Sequence, residues 1–175
     1  HLLSKKPMQI DVLIKNEKHV KIQKNIGRIF RQYNIIEYKS PEDNLDIDDF
    51  YKVYAYACIY KADTEKIDLI PAAELTITFV CYHYPRTMLQ KLHRDRQITV
   101  ENMESGIYCL MGDAIPIQLI IVPRLSKTLS RHLTKRNSRK PLIHFWIVYH
   151  QRKEAFLSAD TGTQIAFQKL LSDTI

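Results

Sequence analysis

Glu37 and Lys39 stand two residues apart in Tyr33-Asn34-Ile35-Ile36-Glu37-Tyr38-Lys39, a segment otherwise built for a β-strand. Alternate side chains of a strand share a face, so this carboxylate and ammonium point the same way. Burying either without a partner is costly. Two arrangements satisfy both groups. One is a plain ion pair at a strand end. The other is a metal site in which Glu37 is a ligand and Lys39 orients or activates a water. The acid-x-Lys spacing is short enough to arise by chance; its position on a β-branched, apolar strand makes it informative.

Asp11 supplies a second carboxylate. It stands between Ile10 and Val12 in the segment Met8–Lys15, which reads as a strand bounded by Pro7 and Asn16. Two carboxylates from neighbouring strands can hold Mg²⁺ or Mn²⁺ through oxygen ligands and leave positions for water and phosphate. Such an ion activates water and offsets charge building on a phosphate. Taken alone, Asp11 reads as a surface acid on an edge strand; beside Glu37 and Lys39 it reads as part of a site.

These residues need a sheet to bring them together. A second strand is expected near residues 19–24, after a turn at Asn16-Glu17-Lys18. The strand over residues 33–39 stops at Ser40-Pro41. Asp48 is the expected cap of a helix running to about Lys61, with Phe50, Val53, Tyr54, Ala57 and Cys58 on its buried face. The tyrosines of residues 51–60 read as packing groups. Leu75 to Tyr82 reads as a strand, and Pro85 starts a short helix over residues 86–94. Residues 106–122 form a hairpin whose last strand, Ile117 to Val122, lacks alternation and is expected to be buried on both faces. Leu142 to Tyr149 is a further buried strand, with His144 and Trp146 in core roles, and Gln164 to Leu171 a closing helix. The order of elements predicts one α/β domain, a mixed sheet flanked by helices.

The chain has 175 residues, a net charge of +7 and a pI near 9.3, so polyanions, nucleic acid above all, are its expected partners. The charge is concentrated in residues 124–140, which carry seven Lys or Arg and no acid. Lys127, Arg131 and Lys135 recur every four residues, and Leu125, Leu129 and Leu133 do the same on another face. That is an amphipathic helix whose cationic side either tracks a phosphate backbone or is simply solvated. Aromatic residues do not interleave with the cations, so base stacking is not signalled.

Several classes are excluded or disfavoured. Four glycines and no GxGxxG or Walker-type segment argue against the two common nucleotide-binding loops. Cys58, Cys81 and Cys109 are odd in number and widely spaced, which disfavours zinc ribbons and disulfide frameworks and fits a reducing, cytoplasmic compartment. No HxxxH pair, membrane-length apolar run or signal peptide is read. The chain starts at His1 rather than Met, so a segment ahead of it is expected.

Asp, a hairpin, Glu-x-Lys on a strand, a helix and then a strand together resemble the core of the PD-(D/E)XK nuclease superfamily. The blocks Lys6–Asp11, Gly27–Phe30, Asn34–Pro41 and Asp48–Tyr54 are similar to uncharacterised members from clostridial bacteria, and the resemblance spans roughly residues 5 to 122. It implies a restriction-endonuclease-like sheet flanked by helices, with the basic helix and the last strand and helix, residues 124–175, completing the domain. It also implies Asp11 and Glu37 as metal ligands, the main-chain carbonyl of Tyr38 as a third, and Lys39 as the residue that positions or activates the attacking water. Many members carry a further acid on a helix before the first strand, which this chain begins too late to show. Some branches place Gln-xxx-Tyr on the following helix, where this chain has Lys52 and Tyr56; Lys52 is therefore a candidate phosphate contact or an exposed helix lysine.

The expected function is Mg²⁺- or Mn²⁺-dependent hydrolysis of DNA phosphodiester bonds, with a homodimer one way to cut both strands. The alternatives are a nuclease-fold module that binds nucleic acid without turnover, and a protein-interaction domain with a decayed site.

Overall fold

A computed structural model describes residues 10–16 and 25–126. Strands β1 (Val12–Lys15), β2 (Tyr33–Tyr38), β3 (Leu75–Cys81), β4 (Thr99–Glu104), β5 (Ile107–Met111) and β6 (Ile117–Ile121) form one six-stranded sheet in the order β1-β2-β3-β6-β5-β4. The centre is parallel, β2 with β3 and β3 with β6, and the flanking pairs are antiparallel. Helix α1 (Ile47–Ala62) crosses from β2 to β3, and helix α2 (Arg86–Arg96) leads from β3 to β4. Parallel neighbours need such a crossover, because a tight turn can only reverse the chain.

The central strands are continuous apolar runs because both their faces are covered. Every residue of β3 and β6 is buried. On one face Ile35, Leu75, Ile77, Phe79, Leu119 and Ile121 pack against Phe50, Val53 and Ala57 of α1 and Met88, Leu89 and Leu92 of α2. Phe50 stacks on Phe79 with ring centroids 5.9 Å apart. Removing such a ring from water contributes roughly 2–3 kcal/mol. On the other face Ile36, Val80 and Ile120 meet Phe30 and Leu125. These come from irregular chain next to the short 3-10 turns Asn25–Ile29 and Val122–Arg124. Among the described residues, then, both helices cover the same face of the sheet.

Helix α1 starts one turn-fraction earlier than its sequence indicates. Its cap is Asp46, not Asp48: the Asp46 side chain accepts from the Asp49 amide at 2.8 Å, and the Asp49 side chain accepts from the Asp46 amide at 3.3 Å. Such a reciprocal box satisfies two amides that the first turn leaves unpaired. Cys58, expected on the buried face, is exposed, whereas Phe50, Val53 and Ala57 are buried. Strand β4 was not legible in the sequence. It lies on the sheet edge, mostly exposed, and carries a register shift between Asn102 and Glu104 that blunts that edge. Gly106, in the turn to β5, has φ +81, and a Cβ there would stand 2.7 Å from the Leu125 amide nitrogen. Only glycine fits that close approach.

Strand β1 pairs directly with β2. The expected strand near 19–24, the basic helix with Lys127, Arg131 and Lys135, the strand 142–149 and the helix 164–171 lie outside the described residues. Among the described residues no helix is long and apolar enough to cross a membrane.

Candidate active site

The site forms where the C-terminal end of β2 meets the N-terminus of α1. Along β2, Tyr33 and Ile35 face the helices, and Glu37 follows in the same alternation. In the antiparallel pairing of β1 with β2, Val12 lies opposite Ile36 and Leu13 opposite Ile35. Asp11 stands immediately before β1, close enough for its charge to act on Glu37. There the ladder ends on a side chain: Asp11 Oδ2 accepts the Tyr38 amide at 3.1 Å. The hydrogen bond fixes the Asp11 carboxylate at the strand end.

Glu37 is only 6% exposed. Its Oε1 lies 3.3 Å from Lys52 Nζ and 3.9 Å from Lys39 Nζ. Lys39 is held much more closely by Asp49, whose Oδ1 is 2.6 Å from its Nζ. Lys52 also reaches Asp49 Oδ1, at 3.4 Å. The Asp49 carboxylate is thus anchored by the cap backbone through one oxygen and by the two lysines through the other. The Lys39 amide continues the parallel ladder by donating to the Val80 carbonyl at 2.8 Å, so its backbone stays with the sheet past the end of β2.

The electrostatics are unequal. Burial and then the Asp11 charge push the Glu37 carboxyl up from 4.5 to about 7, against the opposing pull of Lys52 and Lys39. Burial raises Asp49 too, but its hydrogen bond to Lys39 and the charge of that ammonium outweigh it and leave Asp49 below the usual carboxylate range. Lys52 is raised: burial works against its charge, and Glu37 and Asp49 more than offset that. Two acids therefore crowd one point with less positive charge than they need. A strongly perturbed, buried acid beside a second acid is a functional-site signature, although structural ion-pair networks produce it as well.

Asp11 and Glu37 offer hard oxygen donors, the chemistry Mg²⁺ and Mn²⁺ prefer. Mg²⁺ is commonly held by one or two carboxylates with waters filling the rest of its shell. Burial and the Asp11 charge disfavour the bare Glu37 carboxylate, and a cation held between the two acids would offset that. Among the described residues no group of three His, Cys, Asp or Glu side chains is placed to hold a metal. Asp49 therefore does not complete a three-acid cage, and the fit is that of a two-carboxylate site.

The structure brings together Asp11, Glu37, Lys39 and Lys52, and adds Asp49, which the sequence reading missed. The available signal was the Asp46-x-x-Asp49 spacing of a capping box ahead of the apolar helix face. The side chain of Tyr38 turns to the other face, edge-on to Tyr82 at 6.5 Å, so only its main chain borders the site. Burial, followed by Tyr82, raises its hydroxyl to about 12. Lys127, Arg131 and Lys135 lie outside the described residues. No protein-family model matches the chain, and neither a curated protein nor a solved structure does.

Proposed function

We propose that the chain is a divalent-metal-dependent nuclease of restriction-endonuclease-like fold, hydrolysing phosphodiester bonds in DNA. The observation that carries this reading is that Asp11, just before β1, accepts the Tyr38 amide at 3.1 Å and so brings its charge beside the buried Glu37, whose carboxyl is pushed up to about 7 by burial and by Asp11. Asp11 and Glu37 would hold Mg²⁺ or Mn²⁺, with the Tyr38 carbonyl at the same strand end. When bound, the ion supplies charge neutralisation at the phosphate and a more acidic water. Lys39, clamped by Asp49, presents an ammonium that donates to the attacking water and orients it. In the reaction the water oxygen would bond to phosphorus and lose a proton to solvent, while one P–O ester bond breaks and the leaving oxygen takes a proton from solvent to become a hydroxyl. Lys52, with 44% of its side chain exposed, supplies a cation to a phosphate oxygen of the approaching backbone. The excess of basic residues supports a polyanionic substrate through contacts that weaken with salt.

Cleavage of plasmid DNA with Mg²⁺ or Mn²⁺ tests the proposal. Glu37→Ala and Lys39→Ala are each expected to lower the rate by roughly two orders of magnitude or more, the scale for removing a group that acts in the transition state. Equal cleavage by wild type and both variants would trace the activity to a contaminant.

A second reading is a nuclease-fold module without turnover, binding nucleic acid or a protein. Both lysines at the site are already ion-paired, and among the described residues no third acid is placed to hold a metal with Asp11 and Glu37. It predicts salt-dependent DNA binding, or no DNA binding for the protein-binding variant, and no cleavage with either ion.

A further inference from the structure

We propose that Lys52 is a tethered counter-cation that competes with the divalent ion for Glu37, so that metal uptake requires its ammonium to leave. The inference rests on the metal-site reading above and deepens it.

Three observations converge on Lys52. First, its Nζ, not that of Lys39, is the cation nearer Glu37, at 3.3 Å against 3.9 Å. The strand lysine that the acid-x-Lys spacing pairs with Glu37 is instead drawn to Asp49 at 2.6 Å. Second, Lys52 bridges two acids, reaching Asp49 Oδ1 at 3.4 Å, so one ammonium serves both carboxylates. Third, it reaches them from solvent: 44% of its side chain is exposed, against 16% for Lys39. A long lysine stem on a helix surface can withdraw its head to water without moving the backbone. An ammonium and a divalent cation cannot both sit against one Glu37 oxygen, because their like charges repel at that range. Once displaced, Lys52 stays tethered at the mouth of the site, where a phosphate would meet it.

The test is calorimetric titration of the full chain with Mn²⁺, without nucleic acid, at low ionic strength. Lys52→Gln is expected to tighten Mn²⁺ binding about tenfold relative to wild type, the order expected for removing one nearby positive charge in a partly solvated setting. Lys61→Gln makes the same net-charge change on the same helix, at a residue paired with Asp68, and is expected to shift affinity less than twofold. Lys52→Arg retains the charge and is expected to stay near wild type. If wild type and Lys52→Gln bind Mn²⁺ equally while Glu37→Gln does not bind, the competition is overturned and the metal site stands. Tightening in Lys52→Arg or Lys61→Gln equal to that in Lys52→Gln would also overturn it. If neither wild type nor Lys52→Gln binds Mn²⁺, the competition and the metal-site reading fall together. Circular dichroism of each variant confirms folding, and a rise in melting temperature with added Mn²⁺ gives a second readout of the same ranking.

Discussion

Two buried carboxylates pack against α1, and their surroundings differ in kind. Asp113 has a side chain only 3% exposed, yet every demand it makes is met. It accepts Arg96 Nη2 at 2.6 Å, the Tyr54 hydroxyl at 2.8 Å and the Ile115 amide at 3.1 Å. The Arg96 guanidinium in turn lies 4.6 Å from the centroid of the Tyr54 ring and 5.6 Å from that of Phe50. One acid, one cation, full hydrogen bonding and aromatic cover make a structural joint between α1, α2 and the β5–β6 connection. Glu37 is as deeply placed but faces another acid, shares its lysines with a third, and is pushed up to about 7. A satisfied buried charge holds a fold together; an under-compensated one stores electrostatic energy that a ligand can release.

The largest expected effect separates the two on stability. Asp113→Ala leaves Arg96, the Tyr54 hydroxyl and the Ile115 amide without their acceptor. Removing one partner of a mostly buried pair costs about 3–4 kcal/mol, read as a lower urea midpoint. A loss under about 1 kcal/mol would remove the distinction between the two sites. Glu37→Gln is expected to move the other way and to depend on pH. The fold favours the protonated carboxyl, since the folded-state value is about 7 and the unfolded reference 4.5. That stabilisation is fully present below pH 4.5 and is lost as the pH climbs through 7. A glutamine stays neutral throughout. The variant should therefore match wild type at pH 4 and exceed it at pH 8 by roughly 2–3 kcal/mol. A stability gap that does not change between those two pH values would show that Glu37 is as well compensated as Asp113.

The contrast also marks what a sequence can disclose. The apolar runs of β3 and β6 and the Glu37-x-Lys39 spacing were legible because each is a local pattern, and the structure puts those elements in the sheet as expected. Asp113 and Arg96 were not legible as partners: they stand 17 residues apart, and nothing local tells a joint from two surface charges. Strand β4 failed for a related reason. Its exposed edge position removes the alternation that marks a half-buried strand. The same limit applies inside the candidate site. Spacing placed Lys39 on the face of Glu37, but which acid the ammonium chooses depends on where α1 starts, and that start was read two residues late.

The smallest expected effect therefore concerns the cap. Asp46 holds the Asp49 backbone, and Asp49 draws Lys39 to itself at 2.6 Å, leaving it 3.9 Å from Glu37. Asp46→Ala should cost about 1 kcal/mol of stability, the usual value of an N-cap, while Asp46→Asn costs a few tenths. The loss is the same whether or not the site has a function, so stability alone cannot distinguish the two carboxylates here. The distinguishing quantity is the pH dependence at Glu37. If the cap fixes Asp49, and through it Lys39, loosening the cap frees Lys39 to approach Glu37, lowers the carboxyl, and shrinks the gain that Glu37→Gln shows at pH 8 in the Asp46→Ala background. An undiminished gain in that double variant would mean that Asp49 does not govern how the lysines are shared, and that the charge imbalance at Glu37 arises from burial and Asp11 alone.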